Sequence, residues 1–214
     1  METTLILIRH GESSANGKGF FAGHLDIELS EKGEKQAALT ARYVAENYKV
    51  DKIYSSDLKR AYATAKPLAQ AREKEIVATA GLREIYAGTW QGLCFDELQT
   101  RYADSYGVWL RDIGNAACPS GETVKELAAR IWEAVLDIVK ENEGKTVAVV
   151  THATPIRTLL CRWKGLPLSE MKNVPWVSNA SVTVVKYRNG EWTVEKESAD
   201  EQLAEMKTSF PANV

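Results

Sequence analysis

Two of the chain's three histidines, His10 and His152, each stand two residues after a short apolar run, at residues 5–8 and 147–150. Arg9 stands beside the first. A third apolar spot, Ile53-Tyr54, leads into Ser55, Ser56 and Asp57, with Arg60 about one helical turn further on. If the three runs are strands of one open sheet, these side chains leave it at the same rim, where such sheets bind ligands. A lone histidine in either place reads equally well as a core or loop residue. Two imidazoles and two guanidinium forks on one rim are better suited to an anion, and phosphate accepts the bidentate contacts that arginine offers. A neutral imidazole, with an ordinary pKa of about 6.5, is also a competent nucleophile near neutrality. A metal is disfavoured, because arginines repel a cation and no second carboxylate stands ready to complete a coordination shell.

The elements around these residues follow an alternating order. The run at 5–8 reads as a buried strand. Residues 30–46 read as a helix capped by Ser30, with small or apolar Ala37, Ala38, Ala41, Val44 and Ala45 on one side. Ile53-Tyr54 marks a short strand, 58–71 a helix, and 76–78 a short strand near the sheet edge. Ser55 and Ser56 read as a strand-end turn and a helix cap. Segment 88–121 holds Trp90, Phe95, Tyr102, Tyr106 and Trp109 without a single periodicity, as expected of a lid of short helices folded over the sheet, its aromatics read as core more than as ligand stack.

The clearest helix is 123–142, with a capping box at Thr123 and Glu126, an apolar stripe of Val124, Leu127, Ile131, Val135, Ile138 and Val139, and Gly144 beyond its end. A central strand at 146–150 and a helix at 155–163 follow, Thr154-Pro155 being an N-cap and first-turn pairing. That helix start adds N–H groups and a positive dipole end near His152. Residues 181–187 and 192–196 flank Asn189-Gly190, a hairpin signal, so at least one antiparallel pair closes the sheet. The expected fold is α/β: a three-layer sandwich with a mostly parallel central sheet, helices on both faces and a helical lid insertion at about 88–121.

Bulk properties narrow the partners. With 44% hydrophobic and 26% charged residues in 214, the chain has the makeup of one globular domain spanning 1–214, with disorder expected only at the C-terminal tail. A net charge of -2 provides no basic field for nucleic acid or for an anionic membrane, so a small molecule is the expected partner. The run at 5–8 is too short for a signal peptide or membrane span, and a cytoplasmic protein is expected. Cys94, Cys118 and Cys161 form no CxxC pair, which favours free, unliganded thiols. Whether the chain forms a homo-oligomer is left open.

The segment Leu7-Ile8-Arg9-His10-Gly11-Glu12-Ser13 resembles the signature of the histidine phosphatase superfamily, in its phosphoglycerate-mutase-like branch, which includes broad-specificity and alpha-ribazole phosphatases. Further segments agree in order. Phe21-Ala22-Gly23, Asp26, Leu29-Ser30 and Gly33 resemble the family's substrate loop and first helix, and Ser55 to Ala61 with Thr64-Ala65 its second motif. Leu82-Arg83-Glu84 with Gly88-Thr89-Trp90-Gln91-Gly92 resembles its acid loop, Pro119 to Thr123 the start of its long helix, and Val150-Thr151-His152-Ala153 its second histidine. The resemblance implies that His10 accepts the phosphoryl group while Arg9, Arg60 and His152 grip its oxygens. It implies that Glu84 protonates the leaving oxygen, where the residue types alone favour a surface carboxylate paired with Arg83. It also places Asn16, Gly23 and Ala153 at the substrate. Glu12 and Ser13 read as supporting residues; His24 stays open between substrate contact and loop residue. No cofactor is implied.

The expected activity is therefore hydrolysis of small organic phosphomonoesters through a phosphohistidine, without a metal. One alternative is a phosphoglycerate mutase. Mutases of this branch follow the acid with Arg-His-Tyr-Gly, whereas Glu84 is followed by Ile85-Tyr86-Ala87-Gly88, and the insertion offers only Arg101 and Arg111 to hold a second anionic group. The other is a phosphate-binding module without catalysis, against which stands the presence of all five reactive positions, His10, Arg9, Arg60, His152 and Glu84.

Overall fold

The computed structural model describes residues 1–208, so the part of the tail at 209–214 for which disorder was expected lies outside the described residues. Its strands are β1 (Glu2–Arg9), β2 (Lys52–Ser56), β3 (Ile76–Thr79), β4 (Thr146–Thr151), β5 (Val182–Arg188) and β6 (Glu191–Ala199). They form one six-stranded sheet in the order β3-β2-β4-β1-β5-β6. β3, β2, β4 and β1 run parallel, whereas β5 pairs antiparallel with both β1 and β6. The hairpin turns on Asn189 and Gly190, both with positive φ (52° and 90°), the backbone that a two-residue turn of this hand needs.

Successive residues of the central strands enter different cores. Leu5, Leu7, Val147 and Val149 belong to one hydrophobic cluster; Ile6, Ile8, Ala148 and Val150 belong to another. Burial on both faces explains why these strands are apolar throughout rather than alternating. The second cluster is covered by α2 (Glu31–Asn47) and α3 (Lys59–Arg72) through Ala41, Val44, Ala61, Ala65 and Leu68. The first is covered by α6 (Val124–Glu141) and α7 (Ala153–Trp163); the remaining α-helices are α1 (Ser14–Lys18), α4 (Phe95–Arg101) and α5 (Ala103–Arg111). All six stripe residues predicted for α6 are buried, and its capping box is made, with Thr123 Oγ1 accepting from the Glu126 N–H and Glu126 Oε2 accepting from the Thr123 N–H.

Segment 88–121 carries α4 and α5 and packs Trp90, Leu98, Tyr106 and Ile113 into the first cluster. Its two ends meet backbone on backbone: a Cβ on Gly88 would lie 2.1 Å from the Pro119 carbonyl oxygen, and φ there is +51°. The segment also bonds to the loop after α1, Phe21 N–H to Leu93 O and Gly92 N–H to Phe21 O.

Some boundaries differ from the sequence reading. α7 starts two residues before Pro155, with His152 as its N-cap instead of Thr154. Proline is tolerated there because first-turn N–H groups have no intrahelical acceptor. The short helix α1 was not anticipated; it has only five residues and no apolar stripe. α3 is capped at Leu58, which has no oxygen to offer, and Ser56 Oγ accepts from the Leu58 N–H instead.

Candidate active site

Strand register explains the convergence. Ile8 lies opposite Val150, and Val150 opposite Ser55, so Arg9-His10, Thr151-His152 and Ser56-Asp57 leave the sheet at one level. One cavity opens there, with Arg9, His10, Ser13, Asn16, Gly23, Arg60, Glu84, Ala153 and Thr154 on its walls. Of the residues anticipated at the site, His152 alone is not on the wall. It lies fully buried behind His10, ring centroids 5.1 Å apart and edge to face.

His10 is held from several sides. Its N–H donates to Thr151 O, its carbonyl accepts from Ala180 N–H and from Asn179 Nδ2, and its ring Nδ1 lies 2.7 Å from the Gly11 carbonyl oxygen. A carbonyl can only accept, so Nδ1 carries the proton and Nε2 keeps the lone pair. The loop behind it is packed backbone on backbone: a Cβ on Gly33 would stand 1.9 Å from the Glu12 carbonyl oxygen. Thr64 Oγ1 accepts from Gly11 N–H and donates to the Arg60 carbonyl, tying the loop to α3.

The positive groups are buried. Burial, the largest cause, draws the Arg9 guanidinium down to about 9 and that of Arg60 to about 10, with Glu84 opposing both shifts. His10 and His152 fall well below the ordinary imidazole range, through burial first and the Arg60 charge second. Arg60 donates Nη1 to Leu25 O and Nη2 to Gly23 O, which leaves further N–H groups of the guanidinium for an anion. Asn16 Oδ1 accepts from Ser13 N–H, Ser13 Oγ and Asn179 Nδ2, so its amide nitrogen remains as a donor. A dianion in this cavity would relieve every one of these penalties.

Glu84 is half-buried and turned to the cavity rather than paired with Arg83, which forms a two-point pair with Asp57 at 2.7 and 2.6 Å. Its Oε1 accepts from Ile85 N–H and its Oε2, at 3.4 Å, from Thr154 N–H at the start of α7. The Glu84 backbone carbonyl accepts from Arg130 Nη2 and from His24 Nε2, while Arg130 grips Glu122 with two contacts of 2.8 Å. His24 thus holds the Glu84 loop from behind and is absent from the cavity wall.

Sequence reasoning missed Asn179, Trp176, Arg130, the tie that Thr64 makes between Gly11 and Arg60, and the second task of Ser56, whose Oγ lies 2.9 Å from His152 Nε2. Asn179 and Trp176 follow no strand end and belong to no motif. Ser56 was legible as polar and close to a strand end, but not as the partner of a histidine 96 residues away.

Residues 5–200 match the family model of the histidine phosphatase superfamily, branch 1. The chain is 34% identical over 181 residues to phosphoserine phosphatase 1 of Hydrogenobacter thermophilus, covering 85% of each. It is 33% identical over 178 residues to the 2,3-bisphosphoglycerate-dependent phosphoglycerate mutase of Bartonella henselae, covering 80% of this chain and 86% of that one. Among solved structures, Bacillus stearothermophilus YhfR superposes with a TM-score of 0.90 at 31% identity, over 94% of this chain and 99% of that one. With the signature segments on one rim and this match along nearly the whole length, the chain belongs to the histidine phosphatase superfamily, branch 1.

Proposed function

We propose that the protein is a metal-independent phosphatase that hydrolyses small organic phosphomonoesters through a phosphohistidine on His10. The observation that carries this reading is the His10 ring on the cavity wall, its Nδ1 proton fixed on Gly11 and its Nε2 lone pair free, beside Arg9 and Arg60 and with the Glu84 carboxyl on the same wall. In the first displacement Nε2 attacks phosphorus, the P–O ester bond breaks, and Glu84 gives its proton to the departing oxygen. In the second, water attacks phosphorus, Glu84 takes its proton, the N–P bond breaks and inorganic phosphate leaves. Arg9, Arg60 and the Asn16 amide hold the transferring oxygens as charge moves among them. Gly23 and Ala153 let backbone approach the substrate. His152 supports His10 and the phosphate from behind.

In this reading one domain spans the chain, with 88–121 as its lid, and works on small phosphorylated metabolites in the cytoplasm. Among the described residues no helix is long and apolar enough to cross a membrane.

The kinship with a mutase makes phosphoryl return the rival outcome. The protein is incubated with 3-phosphoglycerate and with para-nitrophenyl phosphate, with and without 2,3-bisphosphoglycerate and EDTA, while inorganic phosphate and 2-phosphoglycerate are followed. Phosphate release unaffected by EDTA and without isomerised product is expected. Isomerisation strongly stimulated by the bisphosphate, with little phosphate released, would establish a mutase on the same site; no turnover of any ester would leave a binding module.

A further inference from the structure

Beyond the phosphate grip, the cavity wall is made of Phe20, Phe21, Phe95, Tyr106, Trp109 and Trp176. Among the described residues, apart from Arg9, His10, Arg60 and Glu84, which serve the phosphoryl group and its proton, no charged side chain is on the wall. The two insertion arginines that could have held a second anionic group are elsewhere. Arg101 pairs with Glu97 on its own helix, at 3.9 Å, and lies over Tyr102. Arg111 folds back along α5 against Gly107. Arg157 and Lys172 open onto a separate cleft that shares the Trp109 and Trp176 side chains as its wall. Arg157 Nη2 is moreover engaged with the carbonyls of Met171 and Val174.

The aromatic wall is also fixed in place. Fully buried Trp90 stands behind it, with its ring 5.5 Å from Phe21, 5.6 Å from Tyr106 and 5.9 Å from Trp109. Phe21 and Trp109 meet edge to face at 5.0 Å. Trp176 is held by the Arg9 and Arg157 guanidinium groups, 5.1 and 5.5 Å from its ring. Such a cage offers flat, apolar surface at little cost in ordering. A carboxylate in it would lose hydration, and Arg9, the cation on the wall next to Trp176, is already engaged by the phosphoryl group.

Resting on the phosphatase reading above, we propose that the alcohol half of the substrate is uncharged and aromatic, or similarly flat and apolar, and that it stacks in this cage. Phosphomonoesters whose alcohol carries a carboxylate are poor substrates of this chain, whatever its kinship with a phosphoserine phosphatase.

The test compares primary alkyl phosphates, so that leaving-group chemistry is held nearly constant: 2-phenylethyl phosphate, ethyl phosphate, phosphoserine and 3-phosphoglycerate, each followed by phosphate release. The kcat/KM for 2-phenylethyl phosphate should exceed that for phosphoserine by on the order of 100-fold, the range a pocket mismatch commands. Trp109→Ala should lower the ratio of 2-phenylethyl to ethyl phosphate by roughly 10-fold, as expected for loss of an aromatic contact. Phe95→Leu is the milder variant should Trp109→Ala fold poorly, and Phe95→Arg should raise phosphoserine relative to 2-phenylethyl phosphate. Equal or better turnover of phosphoserine, or a ratio unmoved in these variants, overturns the inference while leaving the phosphatase reading intact. Phosphate release from none of the esters overturns both.

Discussion

The imidazoles of His10 and His152 meet edge to face with centroids 5.1 Å apart, yet their ring nitrogens are held by unlike partners, the Gly11 carbonyl for one and the Ser56 hydroxyl for the other. Both rings are buried beside Arg60 and Arg9, and each resists a second positive charge, so both stay neutral well below the ordinary imidazole range. This state suits a nucleophile.

The pH dependence of turnover should show it. Protonated His10 has no lone pair to attack with, so activity is lost as pH falls through its lowered pKa. The acid limb of kcat/KM for para-nitrophenyl phosphate, which reports the free enzyme, should therefore lie below about 6.5, the value of an unperturbed imidazole. A limb at or above that value would mean that the empty site does not depress His10.

Stability should respond in the same direction. The folded pKa values of both histidines are depressed, so between the unfolded value of about 6.5 and the lower folded ones the unfolded chain takes up protons that the folded chain refuses. Stability from these groups is thus complete above about 6.5 and is lost as pH falls below it. Melting temperatures measured from pH 8 to 5 should drop on the acid side less steeply in His10→Gln than in the parent chain. Inorganic phosphate should raise them all, because an anion bound only to the folded state relieves the crowding of Arg9, Arg60 and the imidazoles. Parallel curves for the variant and the parent would contradict the shift at His10.

His10→Ala should reduce turnover to background and remove covalent labelling, since the reading gives the phosphoryl group one acceptor. Acid-quenched reactions with a radioactive ester should yield an acid-labile, base-stable adduct in the parent protein and none in the variant. Persistent labelling would move the nucleophile elsewhere, and His152 is the residue to examine first.

Glu84→Gln separates the proton from the phosphate. The amide keeps the shape of the side chain and one oxygen to accept from the Ile85 or the Thr154 N–H, but cannot deliver a proton. An ester with a poor leaving group should slow by about 10²- to 10⁴-fold, the usual contribution of a general acid, and para-nitrophenyl phosphate by much less. Equal losses on both would assign the acid to another group.

How far the sequence alone reached depends on the range of the interaction. Residues 5–8 and 147–150 are apolar on both faces, which is a local signal of a covered parallel sheet, and their C-terminal neighbours then had to share a rim. The α6 stripe and its capping box were legible because their partners lie three or four residues apart. By contrast, the pairing of β5 beside β1 depends on contacts across most of the chain, and nothing within either strand encodes it. Asn179 is an ordinary loop residue in sequence and becomes a link between the His10 carbonyl and Asn16 only when that loop reaches the end of β1. The aromatic residues of 88–121 were read as core more than as ligand stack. Trp90 and Tyr106 are core, and Phe95, Tyr102 and Trp109 pack against it, but Phe95, Tyr106 and Trp109 also line the cavity, and which side of the segment faces it is set by the packing of α4 and α5, not by their spacing.

Ser56 is the remaining position where a small change should be informative. Its Oγ is the partner of His152 Nε2, and among the described residues His152 Nδ1 has none. Ser56→Ala leaves a fully buried imidazole without a hydrogen bond at either nitrogen and also removes the acceptor of the Leu58 N–H, each newly unpaired group costing about 1–3 kcal/mol. The alanine itself creates almost no void. Denaturant melts should therefore show a loss of about this size. If the hydroxyl also fixes the ring behind His10, kcat should fall more than KM rises, because the misplaced ring matters most when the phosphoryl group transfers. Unchanged stability would show that His152 finds another partner, and a loss of stability with kinetics intact would confine Ser56 to the fold.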